Sequence, residues 1–79
     1  MFLHLGGNAI ISKKEIIAIL NIYKKPSAIT SAFLDEAQDK GVIDQISDLG
    51  KEKSCVIAND KIYISPISCN TLRKRTIVD

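Results

Sequence analysis

The chain contains few of the residues on which metal binding, covalent cross-linking and catalysis usually depend. Its 79 residues include one histidine, two cysteines, one methionine and no tryptophan. Cys55 and Cys69 stand 14 positions apart and form no CxxC pair, a spacing that favours two reduced thiols over a zinc site or a disulfide. His4 lies between two leucines, where a hydrogen-bonded structural role outweighs that of a ligand or catalyst. We therefore predict no metal site and no cofactor.

Motifs of catalysis, membrane insertion and secretion are missing as well. The sequence has no GxGxxG, Walker A, GxSxG or HExxH motif, and its carboxylates do not converge with a nucleophile or a base. No run reaches the roughly 18 apolar residues of a transmembrane helix. His4 and the glycines after it interrupt the first apolar segment too early for a signal peptide. These absences predict a cytoplasmic protein that is not an enzyme, has no small-molecule substrate and does not contact a membrane.

Isoleucine is the residue that the chain has in abundance. There are fourteen isoleucines, against two phenylalanines and two tyrosines. Because β-branched side chains pack well on a pleated surface, this composition favours a sheet. A chain of this length buries only about 60–65% of the surface that its unfolded form exposes, so its core is thin. We expect the sheet to complete its core by self-association.

The order of apolar segments and turns predicts an α+β fold with a small, mostly antiparallel sheet. Gly6-Gly7-Asn8 provides turn chemistry between two extended segments, which predicts an N-terminal hairpin. Asn59-Asp60 marks a second tight turn. We see no linker or internal repeat, so one domain spanning residues 1–79 is expected. The expected strands cover residues 2–5, 9–12, 16–23, 42–47, 54–58 and 61–65.

One central helix and a short C-terminal helix complete the predicted fold. Ser27 is a suitable N-cap and Gly41 a suitable C′ residue for a helix over about residues 27–40. Ser68 or Asn70 is the expected cap of the second helix, which contains residues 72–75. The central helix has an apolar face and a negative face that would repel a phosphate backbone. The apolar face carries Ile29, Ala32, Phe33 and Ala37, and the negative face carries Asp35, Glu36 and Asp39.

The basic residues form four small groups, although the formal net charge is only +2. Most of these groups lie in loops or at the ends of elements, where their side chains can reach phosphates. Each phosphate contact releases condensed counterions, so a symmetric assembly that repeats two or three contacts binds DNA far better than a monomer does. For any one group, a solvated surface is the simpler alternative. The groups are Lys13-Lys14, Lys24-Lys25, Lys51 with Lys53, and Arg73-Lys74-Arg75.

Four segments in a fixed order resemble the RemA/RemB family of extracellular matrix regulatory proteins. They are residues 2–8, residues 39–43, Gly50 ahead of the next strand, and residues 59–75, and the RemB branch is the more similar. Members of this family are small bacterial DNA-binding regulators. The resemblance implies a LytTR-like fold and a cyclic homo-oligomer that binds double-stranded DNA along the ring. Such binding would activate genes for extracellular matrix, as in biofilm formation.

The resemblance also implies where DNA is bound. In the RemA branch, basic side chains meet DNA directly after the second strand and directly after the glycine of the mid-chain loop. This chain has lysines at both places, together with Glu15 and Glu52, which depart from the pattern. Lysine offers a point charge rather than a planar fork, so contacts to the DNA backbone are expected to dominate. The two arginines form a second candidate patch, for DNA or for a subunit interface. The candidate DNA-binding residues are therefore Lys13, Lys14, Lys51, Lys53, Arg73 and Arg75.

A second hypothesis is a ring-forming structural or interaction protein with weak or no DNA binding. Glu15, Glu52 and the small net charge favour it. Phosphate contacts give DNA affinity a steep negative dependence on salt. The measured slope of that dependence therefore distinguishes the two hypotheses.

Overall fold

The chain adopts an α+β fold, as the sequence predicts. Across residues 1–24 and 26–77, which the computed structural model describes, four strands form one sheet and two form a separate hairpin. The strands that were expected in a single sheet are therefore divided between two. In chain order the elements are β1 (Phe2–Gly6), β2 (Ala9–Ser12), a 3₁₀ turn (Lys13–Glu15), β3 (Ile16–Asn21), α1 (Ala28–Lys40), β4 (Ile43–Gln45), β5 (Ser54–Ala58), β6 (Ile62–Ser65) and α2 (Cys69–Ile77).

The larger sheet has the strand order β3-β5-β6-β4 and is antiparallel except at one edge. β5 pairs with β3 and β6 in antiparallel register, whereas the short β4 pairs with β6 in parallel. The Ala58 N–H donates to the Lys61 carbonyl over 2.9 Å, which closes the predicted turn between β5 and β6. β3 and β4 are shorter than predicted, since they end at Asn21 and Gln45.

Successive residues of β5 point to opposite faces of this sheet and so separate two cores. Cys55 belongs to the core under α1, and Val56 to the core shared with the hairpin and α2. The molecule therefore has three layers: α1, the four-stranded sheet, and the hairpin with α2. The buried residues of the first core are Ala37, Cys55, Ile62 and Ile64. Those of the second core are Leu3, Leu5, Ile11, Ile19, Val56, Ala58, Cys69 and Leu72.

The hairpin is attached to the end of β6 by close backbone approach and a buried hydroxyl. The Ser65 hydroxyl is fully buried and donates to the Leu5 carbonyl over 2.6 Å. Gly6 has a φ of +115°, and a Cβ at this position would lie 3.1 Å from ring carbons of Pro66. His4 Nε2 donates to the Gly7 carbonyl over 2.8 Å within the hairpin, which agrees with its predicted structural role. This attachment fixes the hairpin on the face of the sheet opposite α1.

α1 begins and ends as predicted but buries only part of its apolar face. The Thr30 N–H donates to the Ser27 hydroxyl over 3.1 Å, and Gly41 follows the helix with a φ of +70°. Ala37 is buried, whereas Ile29 is 84% and Phe33 38% exposed. The apolar stripe therefore contacts the sheet at its C-terminal end and is open to solvent at its N-terminal end.

α2 fills the space between the open edge of β3 and the hairpin. Ser68 is its cap, because the Thr71 N–H donates to the Ser68 hydroxyl over 3.2 Å. Leu72 is completely buried in the second core. Arg73 donates to the Ile19 carbonyl of β3 over 3.0 Å, and Arg75 approaches the His4 carbonyl of β1 at 3.5 Å. α2 therefore covers an edge that would otherwise present unpaired backbone groups.

Candidate nucleic-acid interface

A basic cleft of about 370 Å³ lies where the end of β3, the start of β5 and the start of α2 meet. Two cationic side chains, Lys53 and Arg73, contribute to its wall, and none of the described residues in the wall carries a carboxylate. The cleft thus joins one residue of the mid-chain loop to one residue of the C-terminal basic group. Its lining residues are Asn21, Tyr23, Lys53, Ser68, Cys69, Asn70 and Arg73.

Lys53 is held in the cleft by its backbone while its side chain stays exposed. Its N–H donates to the Ser65 carbonyl over 3.0 Å, and its carbonyl accepts from the Ile22 N–H at 3.1 Å. These bonds continue the β5 ladder by one residue. The Lys53 ammonium lies 5.7 Å from the centre of the Tyr23 ring, and the Lys24 ammonium lies 5.5 Å from it. Two cations on one ring give this side of the cleft a positive potential that favours an anion.

Arg73 and the first turn of α2 form the other side of the cleft. The hydrogen bond to Ile19 uses one donor of the Arg73 guanidinium, which has five N–H donors in total. The first N–H groups of a helix have no acceptor within the helix and carry partial positive charge. Cys69 and Asn70, which open α2, line the cleft. The site is therefore suited to a phosphate group. Arg75 does not line it and lies toward β1.

The mid-chain loop, residues 48–53, exposes the side chains of Lys51 and Lys53 to solvent. The Glu52 side chain instead forms a hydrogen bond with the backbone of the same loop. Lys51 is exposed, and its N–H donates to the Asp48 carbonyl over 3.1 Å. Glu52 Oε1 accepts a hydrogen bond from the Gly50 N–H at 2.9 Å. Glu52 lines a different cavity, beside Pro26. Glu52, one of the two carboxylates that depart from the pattern of the RemA branch, therefore stabilises the loop and does not line the basic cleft.

Replacing Glu52 by glutamine is expected to tighten DNA binding while the loop keeps its shape. Glutamine retains an Oε1 acceptor for the Gly50 N–H and removes the negative charge. Removing roughly 0.5–1 kcal/mol of surface repulsion corresponds to about a twofold to fivefold gain per binding subunit. Titration of a labelled duplex at fixed salt measures this change. Glu52→Arg adds a cation but loses the acceptor, so the glutamine variant isolates the effect of charge. Unchanged or weaker binding by Glu52→Gln would contradict the prediction.

The other predicted DNA-facing segment lies far from the basic cleft. Lys13 and Lys14 belong to the 3₁₀ turn before β3, whereas Asn21, at the opposite end of β3, lines the cleft. The six residues of β3 separate the two places by about 20 Å, at roughly 3.3 Å per residue. Lys14 is exposed and Lys13 half-buried. The two lysine segments therefore do not meet within one chain. Lys25, a member of the remaining basic group, lies outside the described residues.

The two cysteines are present as thiols and are not joined in a disulfide. Both are free and buried. Within the described part of the chain, no three side chains of His, Cys, Asp or Glu are grouped so that they could hold a metal ion.

In the same part of the chain, no helix has the length and apolar character needed to span a bilayer.

Cys55 is expected to resist alkylation in the folded protein. Burial raises its pKa from 9.0 to about 11, and the thiolate is the reactive form. Because the folded state holds this proton more tightly, the thiol contributes stability that is complete below about pH 9. That stability is lost as the pH rises through about 11. In a Cys69→Ala variant at pH 8, a thiol reagent should modify Cys55 slowly under native conditions and rapidly in denaturant. Rapid modification of the folded protein would contradict this.

Part of the cleft was not predicted from the sequence. Lys53 and Arg73 were identified because they are basic, but Asn21, Tyr23 and Asn70 carry no such signal. They come together only because β3 pairs with β5 while α2 packs beside β3. The proximity of Tyr23 to two lysines could not be inferred from the sequence.

Comparison with known proteins identifies the family. The sequence model for extracellular matrix regulatory protein A-like (RemA-like) proteins matches residues 2–76. The chain is 35% identical over 75 residues to extracellular matrix regulatory protein B of Bacillus subtilis (strain 168), covering 95% of this chain and 89% of that protein. Both descriptions are of regulatory proteins rather than enzymes. The resemblance inferred from the sequence is thus confirmed, and the chain belongs to the RemA-like family of extracellular matrix regulatory proteins.

Proposed function

We propose that this protein is a DNA-binding transcriptional regulator of extracellular matrix genes that acts as a cyclic homo-oligomer. The observation that carries the proposal is the basic cleft, where Lys53, Arg73 and the first turn of α2 converge and where no residue within 1–24 or 26–77 adds a carboxylate to the wall. Membership of a family named for extracellular matrix regulation supports the class of target genes. Large apolar side chains that remain exposed, among them Phe2, Ile17 and Ile29, support self-association.

The cleft would hold a backbone phosphate rather than read a base. Arg73 offers a planar set of donors, and Lys53 and the neighbouring Lys51 offer point charges. Lys13 and Lys14 lie about 20 Å from the cleft along β3. Because one helical turn of DNA is roughly 34 Å long, they would contact the same duplex more than half a turn away from the cleft. Such spaced contacts favour recognition of DNA curvature and groove shape.

The acidic surface is arranged in a way that fits this function. α1 carries the exposed carboxylates Asp35, Glu36 and Asp39 and lies on the face of the sheet opposite α2. A duplex seated at the start of α2 would therefore not approach the acidic helix. Within one subunit, the basic cleft and the negative charge of α1 are thus on opposite faces of the sheet.

A salt series of DNA binding by the purified protein tests the proposal. For each phosphate contact the logarithm of affinity should fall with the logarithm of salt by a slope of about 0.9. An assembly in which several subunits each make two or three contacts should lose several orders of magnitude between about 50 and 200 mM salt. Weak binding with no dependence on salt would overturn the proposal.

The alternative is a ring-forming interaction protein that binds DNA weakly or not at all. The small net charge of +2 and the exposed Glu15 beside Lys14 favour it. It predicts a stable oligomer, as the DNA-binding proposal does, but a shallow salt slope. The same measurement therefore separates the two functions.

A further inference from the structure

Both phenylalanines of the chain lie at the surface, on opposite sides of the molecule. Phe2 is 69% exposed on the hairpin, and Phe33 is 38% exposed on α1. Phenylalanine is among the residues most often buried in folded proteins. The hairpin and α1 cover opposite faces of the four-stranded sheet. Each outer layer of the molecule therefore exposes an aromatic side chain of its own.

The hairpin exposes an apolar surface that its strand register defines. His4 pairs with Ile10, and Phe2 lies two residues before His4 on the same face. Leu3, between them, points inward and is buried. Ile10 is 60% exposed. We call Phe2 and Ile10 the hairpin patch.

α1 exposes a second apolar surface beside a cavity. Ile29 is 84% exposed and lies one helical turn before Phe33. The cavity next to Phe33 measures about 240 Å³; Ala37, Val42 and Ile62 form the apolar part of its wall, and the Glu36–Lys40 pair lines the rest. We call Ile29, Phe33 and this cavity the α1 patch. It offers a recess that an aromatic or branched side chain could fill.

The charges beside the two patches have opposite signs. Residues 1–15, which are the hairpin and the turn that follows it, contain Lys13, Lys14 and one carboxylate, Glu15, and so carry a net positive charge. α1 contains Asp35, Glu36 and Asp39, and its single lysine, Lys40, is paired with Glu36 at 3.2 Å. Two α1 patches brought together would place carboxylates against carboxylates, and two hairpin patches would place lysines against lysines. A contact between unlike patches pairs opposite charges instead.

We infer that the hairpin patch of one subunit packs on the α1 patch of the next. This inference rests on the proposed function, because it supplies the contact of the proposed cyclic homo-oligomer. A contact between two different surfaces is heterologous, and it closes into a ring when the rotation between subunits permits. Phe2 and Ile10 then cover Ile29, Phe33 and the recess. The basic cleft belongs to neither patch, so every subunit of the ring keeps its cleft open to DNA.

Placing a charge in either patch tests the contact. Phe2→Asp and Phe33→Asp should each reduce the native mass of the assembly to that of one chain, 8.7 kDa. The matched control is Leu49→Asp, which changes a residue that is 88% exposed and lies in the mid-chain loop, outside both patches. It should leave the mass of the assembly unchanged. Lys13 and Lys14 are not altered, because they are also proposed DNA contacts.

Mixing the two variants distinguishes a heterologous contact from a symmetric one. Phe2→Asp protein retains an intact α1 patch, and Phe33→Asp protein retains an intact hairpin patch. An equimolar mixture should form a one-to-one heterodimer and nothing larger, because only one good contact is available. A contact made by a single patch meeting its own copy predicts that one of the two variants assembles normally. That result would overturn the inference.

Ile10→Asp and Ile29→Asp repeat the test at positions that are even less buried than Phe33. Circular dichroism shows whether each variant is folded. If folded variants of either patch keep the wild-type mass, the interface is wrong, while the salt slope of wild-type DNA binding still decides the function. If the wild-type protein is itself a monomer that binds DNA with a steep slope, the ring and this contact fail and DNA binding stands.

Discussion

Alanine at both Lys51 and Lys53 is expected to weaken DNA binding severely and to flatten its salt dependence. Two lost phosphate contacts should lower the slope by about 1.8 for each subunit that touches the duplex. Lys53 lies in the basic cleft, and Lys51 is exposed two residues earlier in the same loop. A ring multiplies this loss by the number of subunits in contact, which is why we expect a large effect. The measurement is a binding titration of the double variant at four or more salt concentrations.

The matched control replaces two exposed carboxylates that lie outside the basic cleft and outside both patches, Asp44 and Asp60, by alanine. Both variants change the charge by two units, but Asp44 lies in β4, at the edge of the sheet opposite β3, and Asp60 lies in the turn between β5 and β6. The control should bind DNA at least as well as the wild type. If the lysine variant kept the wild-type affinity and slope, the mid-chain loop would not be the DNA surface. Attention would then move to Arg73 and Arg75.

Replacing Leu72 by alanine is expected to cause a large loss of stability. Leu72 is completely buried in the core shared by the sheet, the hairpin and α2. Truncating a buried leucine costs about 2–5 kcal/mol because the cavity that remains is filled only in part. A small domain has about 5–15 kcal/mol of stability in total. The variant should therefore unfold at a much lower denaturant concentration than the wild type.

Chemical denaturation at one fixed protein concentration measures this loss, since self-association adds to apparent stability. Leu49→Ala is the matched control. Leu49 is 88% exposed, so its replacement should change the free energy of unfolding by no more than about 0.5 kcal/mol. Equal effects of the two substitutions would show that α2 does not pack as described.

Local chemistry explains why the ends of the helices could be predicted. Ser27 and Ser68 each accept a hydrogen bond from the N–H three residues later, and Gly41 takes the positive φ expected of it. Such caps involve neighbours in the sequence, so the residues present at those positions are sufficient evidence. The hairpin turns were predictable for the same reason.

The division into two sheets and the exposure of the α1 stripe could not be predicted in this way. Periodicity shows that Ile29 and Phe33 lie on one helix face, but it does not show how much of that face the sheet can cover. That depends on contacts between residues distant in the sequence, such as Ser65 with Leu5. The basic cleft could not be predicted either, because strand pairing and helix packing bring Lys53 and Arg73 together. The sequence showed that both residues are positively charged, but not that they are neighbours in the fold.

Because Arg73 donates a hydrogen bond to the Ile19 carbonyl, the cations of the proposed DNA surface are expected to contribute unequally to the free energy of DNA binding. The Arg73 guanidinium is already anchored on the β3 backbone, so a phosphate that binds it restricts little further motion. Lys51 is exposed in a loop, and immobilising such a side chain costs roughly 0.5–1.5 kcal/mol on binding. A phosphate contact at Lys51 therefore contributes less binding free energy than one at Arg73, although each side chain carries one positive charge. The anchored arginine makes the cleft, rather than the loop, the preorganised part of the surface.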